Sequence, residues 1–317
     1  MKKTFKYMIA VILIINAWLL CGCKQNLQDK DTNDDTYEIV CAFFAQYDWI
    51  KNITYGIDNI NVSLLCDNGT DLHSYQMTAE DMLKILQCDM LVCVGGESDA
   101  WAKEASLLGE AKYISLIELL GVSEHTFDHC QEGSHAINEE NDEHVWLSPK
   151  KASVAVTELS KLIQSDYPCQ TDEILFMTQE YCKKFEELDR EYESVCENAN
   201  VNVMVIADRF PFWHLVHDYG IECYAAFPGC SADTNAGFET IIELAKEVDN
   251  NSLKYVVVTE NSDMKTANAV ISATQNKNQQ ICVLDSMQTV ISKDNPDVSY
   301  IDIMEKNLEV LKKVLSN

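Results

Sequence analysis

Thr171–Ala199 reads TDEILFMTQEYCKKFEELDREYESVCENA and contains neither glycine nor proline. Its apolar residues Ile174, Met177, Tyr181, Phe185, Leu188, Tyr192 and Val195 are spaced three or four apart throughout. That spacing predicts one helix with a single apolar stripe. At 1.5 Å per residue such a helix is roughly 40 Å long, enough to run the length of a domain. It could serve as a coiled-coil arm for dimerisation or as a spine between two lobes. The segments on either side favour the spine.

Upstream, YEIVCAFFAQYDWI (37–50) reads as a strand running into a helix, and ILQCDMLVCVGGESDAW (85–101) as a helix end, a buried strand over Met90–Val94 and a Gly95-Gly96 turn. Downstream, VNVMVIADRF (201–210), IECYAAF (221–227), LKYVVVTEN (253–261) and QQICVLDSM (279–287) are further strand candidates between helical patterns. Strands alternating with helices predict parallel β/α units. The expected fold is α/β, with two β/α lobes carrying parallel sheets, residues 37–166 and 201–317, joined by a long rigid helix within 167–200. Functional side chains of such sheets gather at the carboxyl ends of strands, which directs attention to Asp208, Glu260 and Asp285.

The N-terminus has a different character. Lys2, Lys3 and Lys6 precede an apolar run from Met8 to Leu20 and then Leu20-Cys21-Gly22-Cys23. This is the pattern of a bacterial export signal ending in a lipobox. The apolar core of about 13 residues falls short of the ~20 that span a bilayer, which argues against a membrane helix. Residues 1–22 are therefore expected to be a leader and Cys23 the lipidated first residue of the mature chain. The polar stretch 23–36 reads as a flexible leash.

The formal charge is −27. Such a chain is a poor partner for nucleic acid or anionic lipid and attracts cations. Of 13 cysteines, setting aside Cys21 and Cys23 leaves an odd 11, so at least one thiol is unpaired unless chains cross-link. There is no Cys-x-x-Cys, and Cys93, inside MLVCV, reads as a core thiol.

Of seven histidines, two stand in loops just ahead of helices. His73 lies in DNGTDLHSYQMTAEDM, before a helix capped by Thr78. His144 lies in NDEHVWLSPKKA, before Pro149. With Asp285, at a strand end of the other lobe, they form a possible metal cage, although the sequence separations are large.

These segments resemble those of a known family. DLHSYQMTAEDM is similar to the Asp-Pro-His-Ser-Tyr loop of the solute-binding lipoproteins that serve zinc and manganese ABC importers. EHVWLSPKKA resembles their His-Val-Trp-Leu-Asp-Pro signature, VGGESDAW their Gly-x-x-x-x-x-Trp turn, and VLDSM with SYIDIMEKNLEVLKKVL their closing strand and last helix. The resemblance spans nearly the whole mature chain. It implies a metal cleft between the lobes, with His73 and His144 as ligands from the first lobe and Asp285 from the second. At the third family position, usually His or Glu, VIADRFPFWHLVHDYGIE is about one residue longer than the pattern. Strict pairing puts Ala207 there, and sliding by one puts Asp208. Asp208 is taken as the expected ligand, with His214, read as a surface residue, as the fallback.

The resemblance also implies a partner permease and ATPase, a lipid anchor on the outer face of the cytoplasmic membrane, and a monomer. Two imidazoles with two carboxylates resemble the manganese-type members, whereas zinc outcompetes manganese at most N/O sites. The segment 124–144, with His125, His129, Cys130 and His135, matches in position the histidine-rich metal-capturing loop of zinc-type members. Zinc is the expected cargo and manganese the second. The rival readings are a metallohydrolase using Glu260 or Glu143 as general base beside a metal-bound water, for which no His-Glu-x-x-His motif is present, and a surface adhesin.

Overall fold

The computed structural model describes residues 36–122, 142–228 and 236–317. In the first lobe, β1 (Tyr37–Cys41), β2 (Ile60–Leu64), β3 (Met90–Cys93) and β4 (Lys112–Ser115) form a parallel sheet in the order β2-β1-β3-β4. The central strand β3 is buried along its whole length, Cys93 included, as expected where helices cover both faces of a parallel sheet. The second lobe repeats the pattern. There β5 (Val203–Phe210), β6 (Glu222–Pro228), β7 (Tyr255–Thr259) and β8 (Gln280–Leu284) are ordered β6-β5-β7-β8, again all parallel.

The helix Thr171–Glu197 lies in sequence between the two sheets. Ile174, Tyr181, Phe185, Leu188 and Tyr192 of its stripe are buried, while Met177 and Val195 are half-buried at its margin. Thr178 joins the buried face instead, because its hydroxyl bonds both the Ile174 carbonyl and Ser160 Oγ. The same apolar cluster contains Trp49 and Trp146 of the first lobe and Tyr300 and Met304 of the last helix, Tyr300–Ser316. Polar ties run through it: Tyr181 donates to Asp48, Tyr192 to the Met304 carbonyl, and Tyr300 to the Trp146 carbonyl. Burying side chains of this size stabilises by about 1.5–3 kcal/mol each, so the spine is part of one core shared by both lobes.

In β5 the register with β6 shifts. Ile206 pairs with Ala225, and the next pair is Arg209 with Phe227. Ala207 and Asp208 therefore stand opposite the single residue Ala226, which is a β-bulge. The extra residue seen in the sequence at this point is absorbed there, and a bulge re-aims the side chains that follow it.

Nine cysteines fall within the described residues, and all nine are free thiols. Among the described residues no helix is long and apolar enough to cross a membrane.

Candidate metal centre

Asp71 starts the turn that carries His73: its Oδ1 accepts the His73 N–H at 3.0 Å and caps the short 3-10 helix Leu72–Ser74. Behind it, Thr78 and Asp81 form a capping box at the N-terminus of helix Ala79–Gln87. Tyr75 donates to Asp81 at 2.7 Å, which fixes the turn against that helix.

His144 is almost fully buried, with a relative exposure of 2%. It heads a 3-10 turn, Val145–Leu147, followed by helix Pro149–Asp166, whose cap is Ser148. Trp146 packs between His144 and Phe43, and its indole N–H donates to the Ser286 carbonyl at 3.0 Å. The loop of His144 is thus tied to the residue that follows Asp285 in the other lobe. Asp142 faces His144 Nδ1 with both oxygens, at 3.0 and 3.1 Å, and accepts its backbone N–H at 2.8 Å. This fixes the ring so that Nε2 points the other way.

His73 Nε2 and His144 Nε2 lie 3.4 Å apart. Two nitrogens each about 2.0–2.1 Å from a tetrahedral ion would be about 3.3 Å apart. The pair is therefore spaced to share one cation. Glu143 completes a group in which one donor atom from each of the three residues lies within 4.8 Å of the others. Its Oε1 is 3.4 Å from His73 Nδ1, and its Oε2 accepts from Ser98 N and Oγ at 3.3 and 3.0 Å. The Gly95-Gly96 turn makes room for it, since a Cβ on Gly96 would stand 1.7 Å from Glu143 Oε2. In one orientation of its amide, Gln288 donates to both Asp71 oxygens and accepts from His144 Nε2 at 3.2 Å.

The second-lobe carboxylates lie outside that three-residue group. Asp208 directs Oδ1 to the Arg209 N–H at 2.8 Å and Oδ2 to Thr259 N and Oγ at 3.3 and 3.0 Å. Ala207 is buried in the second lobe's own core. Arg209, after the bulge, reaches across to Asp71 Oδ2 at 2.9 Å. Asp285 accepts the Met287 N–H through Oδ1 at 2.7 Å, and among the described residues no hydrogen bond involves Oδ2. Burial pushes its carboxyl above the usual range. Glu260 is pushed up for the same reason, and further by Asp285, while Ser286 occupies both of its oxygens.

His214 is buried rather than on the surface. It lies one residue into the short helix Trp213–Asp218, and its Nε2–H donates to the Asp142 carbonyl at 2.6 Å. It supports the loop of His144 from behind. His125, His129, His135 and Cys23 lie outside the described residues.

Two facing imidazoles beside a carboxylate, in a chain of two parallel α/β lobes that share a long helix, form a candidate metal-binding site. The sequence profile of the zinc-uptake complex component A, periplasmic, family matches residues 39–314, and the chain belongs to that family. The zinc-binding lipoprotein AdcA of Streptococcus pneumoniae is 28% identical over 306 residues, covering 94% of this chain and 58% of AdcA. The chain thus spans somewhat over half the length of that relative. The high-affinity zinc uptake system protein ZnuA of Bacillus subtilis is 25% identical over 322 residues, covering 98% of each chain. The crystal structure of the Zn(II)-bound ZnuA-like domain of S. pneumoniae AdcA superposes with a TM-score of 0.70 at 26% identity, covering 89% of this chain and all of that domain.

Proposed function

We propose that this protein captures a divalent transition metal outside the cytoplasmic membrane, zinc in first place and manganese in second, and delivers it to the permease and ATPase of an ABC importer. The observation that carries the reading is the 3.4 Å separation of the His73 and His144 Nε2 atoms, supported by membership of a zinc-uptake family. The ion is cargo. A lipid at Cys23 would hold the protein, as a monomer, to the membrane surface.

His73 and His144 would supply the nitrogen donors. Asp285 would meet the ion from the second lobe through Oδ2, since the Trp146–Ser286 bond brings its neighbour to the loop of His144. Asp208 is the remaining second-lobe candidate, and to bind it would have to release Thr259. Ligands from both lobes make the ion a staple across the cleft, so loading favours the closed arrangement that a permease can recognise. His125, His129 and His135 would form a secondary metal-capturing loop. Native mass spectrometry of the full chain, purified without chelator, tests the reading. One zinc per chain is expected, and a chain that takes up neither zinc nor manganese contradicts it.

A further inference from the structure

We propose that Glu143 is a direct metal ligand, so that three donors, His73, Glu143 and His144, come from the first lobe. The inference rests on the metal-capturing reading and names one of its ligands. The family pattern puts a second-lobe donor where this chain has Ala207-Asp208-Arg209. The bulge in β5 disposes of all three: Ala207 is in the core, Asp208 is on Thr259, and Arg209 extends a guanidinium to Asp71 beside His73. A fixed cation at that edge disfavours a metal on the same side by direct repulsion.

Glu143 has the geometry of a single-oxygen donor. Ser98 holds Oε2 through two hydrogen bonds, Gly96 clears space for the side chain, and Oε1 is left towards His73. One donor atom of Glu143 lies within 4.8 Å of a donor atom of both His73 and His144, so the three can close on one ion. Charge agrees with this role. Two neutral imidazoles with Glu143 and Asp285 present two negative charges to a dication, whereas the imidazoles with Asp285 alone present one.

A crystal structure of the full chain loaded with zinc, with the ion located by its anomalous scattering, tests this directly. Glu143 Oε1 is expected at about 2.0–2.2 Å from zinc. Zinc held by His73 and His144 with Glu143 beyond bonding distance overturns the inference and leaves the functional reading standing. Zinc bound away from both histidines overturns both. Titration with zinc and with manganese adds a solution measurement. Glu143→Gln keeps the size and, through its single amide oxygen, the acceptor for Ser98. It should nonetheless lower affinity for both metals by about tenfold or more. Wild-type affinity in Glu143→Gln would contradict the proposal.

Discussion

Asp142 and His144 are locked together: one carboxylate accepts the backbone N–H of His144 at 2.8 Å and faces its ring Nδ1 at 3.0 and 3.1 Å. The ring is thereby held with Nε2 towards His73. Asp142→Ala should lower zinc affinity by roughly 10–100-fold, the usual cost of losing a partner that orients a metal-binding histidine. Calorimetric titration measures this. An unchanged affinity would show that the imidazole needs no such support.

Gly95 has φ of +87°, and a Cβ there would stand 1.9 Å from Ser115 Oγ. Gly95→Ala should therefore destabilise the fold by at least about 1–3 kcal/mol. Urea denaturation would read it as a lower midpoint. A variant as stable as wild type would mean that the turn relaxes freely.

His214 makes the fold sensitive to acid. Burial depresses its pKa below 6.5. The unfolded chain then takes up the proton first, so stability is full above about pH 6.5 and falls as the pH drops below it. His214→Gln keeps a donor for the Asp142 carbonyl and removes the titration. The thermal midpoint of the variant should fall less between pH 6.5 and lower pH than that of wild type. Parallel curves would assign the acid sensitivity elsewhere.

Cys23→Ser should release the protein from the membrane fraction, because a polar leash cannot anchor it. Retention in that fraction would point to an uncleaved membrane helix.

Much of this was legible in the sequence because the physical signals were local. The stripe from Ile174 to Tyr192 could be read because the helical period is short, and the Thr78 cap because its partner Asp81 is three residues away. Strands β2 and β4 were not foreseen. INVSL and KYIS are short edge strands with polar residues, and their pairing with β1 and β3 depends on partners far away in sequence. His214 was read as exposed because one histidine on a short helix gives no sign of the Asp142 carbonyl that receives it. The extra residue near Asp208 was visible, but its absorption as a bulge depends on the register with β6. Glu143 was considered only as a catalytic base. Its place beside His73 depends on the Gly96 and Ser98 turn, which lies 45 residues earlier at Ser98.

The central claim is that His73 and His144 share one ion. Calorimetric titration of zinc into the full chain in detergent, for wild type, His73→Ala and His144→Ala, tests it most directly. Each substitution should lower the affinity by at least about tenfold, since each removes a donor to the ion itself. Wild-type affinity in both variants would contradict the account.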